Sequence, residues 1–326
     1  MKLLILIQHP FALWCAPAWL AERIHSEFPQ IEAERLSSYK NVDEHIRDAE
    51  IFFGWSLRGE QVRVAKKLRW IHSTAAAVHQ LMSPELRASD IVVSNARSVH
   101  GPVVAEHAVA LMFALAKRLP AATRYQQQHL WAQEPISCQN PHPTELAGST
   151  LGLVGYGAIG SEVARSATAL GMRVLVVRLH PQRESTAAQI FGPDGVDEVV
   201  AQSDFLVLAA PVTEQTQHVI NAERLARMKP EAYVINVARG SLIDESALVA
   251  ALSAGRIAGA ALDVAGEEPL PASSPLWSLE NCFVTPHLSG ASDSLWVRQA
   301  DLLLDNLGRW FSGRELRNRV DLSRGY

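Results

Sequence analysis

TLGLVGYGAIGSEVARSATALGMRVLVV, residues 150–177, places an apolar strand, three glycines, an amphipathic helix and a second apolar strand within one βαβ length. Gly155, Gly157 and Gly160 have the G-x-G-x-x-G spacing, and here the pattern follows a strand and opens a helix, which is the context it needs. Gly155 suits a tight turn, Gly157 lets backbone approach a pyrophosphate, and Gly160 lets the helix lie close to the strand. The helix amino terminus adds unpaired N–H groups that favour an anion. Gly155, Tyr156, Gly157, Ala158, Ile159 and Gly160 are therefore candidate dinucleotide contacts. Without its flanking strand and helix the same spacing would describe only a tight βα turn.

The second strand ends in RLHPQRES, and Arg178 lies 18 residues beyond Gly160. An acid near this position would accept hydrogen bonds from the adenosine ribose hydroxyls. Arginine cannot accept them. Its planar fork can donate to a ribose 2′-phosphate and stack on adenine, so Arg178, with Arg183 and His180 nearby, favours NADP(H) over NAD(H), which remains possible. The plain alternative for Arg178 is a solvated charge at a strand end.

Outward from this unit, both halves of the chain alternate short apolar runs with helical patterns. The first half contains KLLILI, AEIFFGW (49–55), LRWIHST (68–74) and DIVVSN (90–95). The second contains TLGLVGYG, RVLVVRL, SDFLVLAA, AYVINVA, GAALDV and CFVTPH. Apolar runs that finish in small or polar residues suit parallel strands covered on both faces, with ligands at their carboxyl ends. Residues 102–131 begin with a proline and carry Val104, Ala108, Leu111, Met112, Leu115 and Leu119 on one face, which predicts a long helix bent near Pro120. Proline-rich QEPISCQNPHPTELAGS reads as a loop, and SDSLWVRQADLLLDNLGRWFSG as a final helix covering the first domain.

The 326 residues call for two domains, and 48% apolar with 20% charged residues describes a soluble globular chain. A net charge of -4 without any charged block argues against nucleic acid or an anionic membrane as partner. Three scattered cysteines, Cys15, Cys138 and Cys282, form neither a disulfide framework nor a metal knuckle. No metal is expected. The amino-terminal apolar run is too short for a signal peptide, so a cytoplasmic location is expected.

Several stretches together resemble the D-isomer-specific 2-hydroxyacid dehydrogenase family. They are LRWIHSTAAAV, VVAEHAVALMFALAKRLP, ELAGSTLGLVGYGAIG, MKPEAYVINVARGSLIDESALVAALSAGRIAGAALDVAGEEPLP and NCFVTPHLSG. The resemblance, most like an NADPH-dependent glyoxylate/hydroxypyruvate reductase, implies an α/β architecture of two Rossmann-like doubly wound parallel-sheet domains. The dinucleotide-binding domain, 99–292, would be inserted into a flavodoxin-like substrate domain formed by 1–98 and 293–326.

The family likeness carries three catalytic residues onto this chain: Arg239 in NVARG, Glu268 in DVAGEEP and His287 in TPH. Their chemistry is coherent. A 2-oxo acid offers a carboxylate beside a carbonyl, and the arginine fork can bind the first while polarising the second. Histidine can give the alkoxide oxygen its proton, and a neighbouring carboxylate fixes the imidazole tautomer. Glu267 competes with Glu268 for that part, and the family spacing from Asp263 selects Glu268. Each residue alone is more often structural than catalytic; their shared position at strand ends points to function.

The resemblance also implies cofactor contacts at Val104, Pro211, Val237, Ala238 and Asp263, the last of which could instead cap the loop after its strand. Ala76 and Ala77 would present backbone N–H groups to the substrate carboxylate where relatives often carry glycine. His79 stands where aspartate is common, and reads as a surface residue. Trp55, Leu57, His100 and Trp296 are candidates for setting substrate size, and the region 102–131 is expected to pair two copies into a homodimer.

The expected activity is hydride transfer from NADPH to a small 2-oxo acid such as glyoxylate or hydroxypyruvate, giving the D-2-hydroxy acid. Alternatives are an NAD-linked dehydrogenase of D-lactate-like or bulky 2-oxo acids, and a nucleotide-sensing corepressor or binding module on the same fold.

Overall fold

The computed structural model describes residues 1–181 and 188–322. Arg183 lies outside the described residues. The chain divides into two compact units, Met1–His100 with Ala291–Tyr326, and Gly101–Gly290. The second unit is two residues shorter at each end than the sequence-derived range of 99–292.

The first unit holds β1 (Lys2–Leu6), β2 (Glu32–Arg35), β3 (Ile51–Gly54), β4 (Trp70–Ser73) and β5 (Val92–Asn95). They form a parallel sheet in the order β2-β1-β3-β4-β5, the flavodoxin-like arrangement. Strand β2, EAER, was not among the apolar runs because an edge strand buries too little to need an apolar pattern. The helix Leu295–Phe311 belongs to this unit: Trp296, Ala300, Leu303, Leu304 and Leu307 pack with Leu3, Ile5, Phe53 and Trp70.

The second unit holds β6 (Thr150–Val154), β7 (Arg173–Val177), β8 (Ala188–Phe191), β9 (Phe205–Leu208), β10 (Tyr233–Asn236), β11 (Gly259–Leu262) and β12 (Cys282–Val284). Their order, β12-β11-β10-β9-β6-β7-β8, is a doubly wound parallel sheet whose direction of winding reverses between β6 and β9. Ligands in such sheets gather at the carboxyl ends beside that reversal, and the glycine loop leaves β6 there. β8 is a second edge strand that the apolar pattern missed.

The predicted helix over 102–131 is two helices, Gly101–Ala116 and Leu119–Gln127. The break comes before Pro120, at Arg118, whose φ of 56° is left-handed. Pro120 then sits in the first turn of the next helix, where its missing N–H costs nothing. Val104, Ala108, Leu111, Met112 and Leu115 are buried as read, while the reversal turns Leu119 outward. Among the described residues, no helix is long and apolar enough to cross a membrane, and no group of three or more His, Cys, Asp or Glu is placed to hold a metal ion.

Candidate active site

Three neighbouring strands, β10, β11 and β12, end side by side, and each delivers one of the candidate groups. Asn236, the last residue of β10, is buried and closes the turn that follows: its Nδ2 donates to the Arg239 carbonyl (2.9 Å) and its Oδ1 accepts from Ala238 N (3.1 Å). Arg239 leaves this turn exposed, with Nη1 donating to the Ala238 carbonyl at 2.6 Å. A methyl group added at Gly240 would collide with the Ala265 carbonyl, so the arginine turn abuts the loop that leads to Glu268.

Glu268 is fixed from both sides. Its Oε1 accepts from Ala265 N at 3.0 Å, and its Oε2 lies 2.6 Å from His287 Nδ1. An ionised carboxylate only accepts, so Nδ1 carries the hydrogen and Nε2 is the ring nitrogen left to exchange a proton. The His287 side chain is 51% exposed, which gives that nitrogen access to a reactant. Glu268, not Glu267, meets the imidazole.

His287 has φ +48°, a conformation that L-residues adopt rarely and that costs of order 1–3 kcal/mol unless the surroundings impose it. Those surroundings are Asp263 and Thr285. His287 N donates to the carbonyls of Asp263 (2.9 Å) and Thr285 (3.0 Å). The buried Asp263 carboxylate accepts the Thr285 hydroxyl (2.6 Å), Leu288 N (3.0 Å) and Ser289 N (3.0 Å). Asp263 thus braces the histidine loop, the second of the two roles its position suggested.

The glycine loop fits a dinucleotide. Gly155 has φ +103°, and a methyl there would stand 2.6 Å from Ala210 N; one at Gly160 would strike the Gly155 carbonyl oxygen. At Gly157 the added methyl meets no protein atom within 4 Å, so open space lies over the amino terminus of the helix Ala158–Ala169. A pyrophosphate needs such a cradle. Tyr156 and Arg178 come together across it, the guanidinium carbon 5.5 Å from the ring centroid. Val104, Val237 and Ala238 are buried around the strand ends, Ile159 and Ala158 are partly buried, and Pro211 is exposed.

In the first unit, Ala76 and Ala77 are exposed on the turn after β4. Asn95 Nδ2 donates to the Ala76 carbonyl (2.7 Å), and Gln80 Nε2 to those of Ala77 (3.2 Å) and Trp55 (2.9 Å). Of the residues considered for substrate size, Leu57 and Trp296 are core, the latter donating Nε1 to the Leu13 carbonyl. Trp55 is exposed, and burial beside Arg298 pushes the pKa of His100 down. His79 is exposed. Asn236, Thr285, Asn95 and Gln80 escaped the sequence reading; the only trace of the first was a polar letter ending an apolar run.

A model of the D-isomer specific 2-hydroxyacid dehydrogenase, NAD binding domain, matches residues 109–289. The chain belongs to the D-isomer-specific 2-hydroxyacid dehydrogenase family. It is 34% identical to a glycerate dehydrogenase from Methylorubrum extorquens over 88% of this chain and 91% of that one. It is also 34% identical to a glyoxylate reductase from Korarchaeum cryptofilum, over 87% and 86%. Among solved structures, the D-isomer specific 2-hydroxyacid dehydrogenase from Xanthobacter autotrophicus in complex with NADPH and MES superposes with a TM-score of 0.82 at 27% identity, over 100% of this chain and 99% of that one. This dehydrogenase is therefore an NAD(P)-dependent oxidoreductase of the 2-hydroxyacid class.

Proposed function

We propose that this dehydrogenase reduces a small 2-oxo acid, glyoxylate or hydroxypyruvate, to the D-2-hydroxy acid, and that it prefers NADPH. The 2.6 Å pair between Glu268 and His287 carries the reading, because it fixes one protonatable nitrogen at the carboxyl ends of the strands, the same end of the sheet from which Arg239 leaves β10. When bound, the dinucleotide supplies the hydride for the carbonyl carbon. Arg239 takes the substrate carboxylate with its guanidinium fork and polarises the adjacent carbonyl. His287 Nε2 gives the developing alkoxide its proton, and Glu268 stabilises the imidazolium from the other side. In oxidation the same nitrogen takes the proton back. Ala76 and Ala77 are assigned to the substrate carboxylate through their backbone, and Asp263 to the cofactor side of the histidine loop.

The coenzyme preference rests on Arg178, stacked against Tyr156 of the glycine loop. Charge-assisted hydrogen bonds to a 2′-phosphate contribute roughly 1.5–3 kcal/mol, or about 10- to 100-fold in affinity. That the Xanthobacter autotrophicus relative was solved with NADPH supports the same choice. The names of the glycerate dehydrogenase and glyoxylate reductase relatives support the small substrates. A larger apolar 2-oxo acid is the second reading, favoured by Trp55, which is 51% exposed and tied through Gln80 to the Ala77 turn.

The test is His287→Ala in the otherwise intact enzyme. Turnover of glyoxylate and hydroxypyruvate should fall by about 10²- to 10⁴-fold while NADPH binding, followed by fluorescence titration, stays within a few-fold. Wild-type turnover in that variant would refute the mechanism.

A further inference from the structure

His107 lies on the helix Gly101–Ala116, outside every residue assigned above to cofactor or substrate, yet its ring reaches the histidine loop. Its Nε2 is 3.1 Å from Thr285 Oγ1 and 3.5 Å from Asp263 Oδ1. The direction of each hydrogen bond can be assigned. Thr285 has one hydroxyl hydrogen, and at 2.6 Å from an acceptor-only carboxylate it must point at Asp263. Thr285 Oγ1 is then an acceptor toward His107, so His107 Nε2 carries a hydrogen. Burial lowers the pKa of His107 more than Asp263 raises it, which keeps the ring a neutral donor.

The chain runs in one sense, from His107 Nε2–H to the Thr285 hydroxyl to the Asp263 carboxylate, and that carboxylate grips Leu288 N and Ser289 N on the far side of His287. A threonine hydroxyl left without an incoming donor can rotate toward other acceptors, and Asp263 would lose one of its braces. We propose that His107 is a positioning residue: acting through Thr285 and Asp263, it holds the loop 285–289 and with it the left-handed backbone of His287. Its consequence for turnover rests on the reading of His287 as the proton donor; its consequence for the loop does not.

Three variants of the full chain test this, read by amide hydrogen exchange over 285–289, by kcat and KM, and by NADPH affinity. His107→Phe removes the donor and should speed exchange in this segment about tenfold and lower kcat about tenfold, with NADPH affinity unchanged. His107→Gln, which can present an N–H at similar reach, should restore both. Thr285→Val, nearly isosteric, cuts the middle link, and His107→Phe added to it should have no further effect. Unchanged exchange in His107→Phe, failure of the glutamine to rescue, or additive losses in the double variant would overturn the proposal. Because exchange needs no turnover, full activity of His287→Ala would defeat the catalytic reading alone and leave this result to stand or fall by itself.

Discussion

At His287 three constraints meet: a carboxylate on Nδ1, two carbonyls on its backbone N–H, and a φ of +48° that only such bracing sustains. Glu268→Gln keeps the shape of the first constraint and removes its charge. Reduction should slow at least about tenfold in kcat with KM little changed, and an unaltered kcat would show that the pair is only structural. A second histidine gives a stability prediction. His72, buried between the rings of Phe53 and Trp70, has its pKa pushed down by burial from 6.5 to about 3. As pH falls from 6.5 toward 3, the unfolded chain binds a proton there that the folded chain refuses, so stability drops by up to about 1.4 kcal/mol per pH unit; above 6.5 the contribution is flat. Urea midpoints between pH 7 and 5 should therefore slope less in His72→Gln, and parallel slopes would contradict this. Arg239, Glu268 and His287 stood out as candidates because the family likeness gives each of them a chemical part. Asn236, Thr285 and His107 did not, because a single polar letter has no evident partner until β10, β11 and β12 are laid side by side.

The glycine loop shows how far an element can be read before its coordinates. Spacing gave the roles of Gly155, Gly157 and Gly160, and the added-methyl clashes at the first and third agree with them. The open space at Gly157 separates ligand from fold. Gly157→Ala should leave the urea midpoint unchanged while dinucleotide affinity falls at least about tenfold, whereas Gly160→Ala should lose about 1–3 kcal/mol of stability as well. Equal affinity in Gly157→Ala and the parent would argue against a pyrophosphate there. Elements that escaped the sequence are those whose signal is weakest: β2 and β8 lie at sheet edges, and the helix break at Arg118 depends on a left-handed residue that composition does not mark.

For the whole molecule, two parallel-sheet units were foreseeable from the alternation of apolar runs with helical patterns, and the inserted arrangement from the family resemblance. The surface along the paired helices adds a prediction about assembly. Leu119, Leu130 and Trp131 are exposed, the last at 94%, and the homodimer proposed through 102–131 would cover them. Trp131→Ala should shift the mass measured by light scattering toward one chain; a parent that is already monomeric would refute the assembly. The central claim is hydride transfer to a small 2-oxo acid with the phosphorylated coenzyme preferred through Arg178, and the ratio of kcat/KM for NADPH over NADH, followed by absorbance with saturating glyoxylate or hydroxypyruvate, tests it most directly. The account predicts a ratio above about ten that falls toward one in Arg178→Ala. A parent ratio at or below one, or no turnover with either coenzyme, would contradict it.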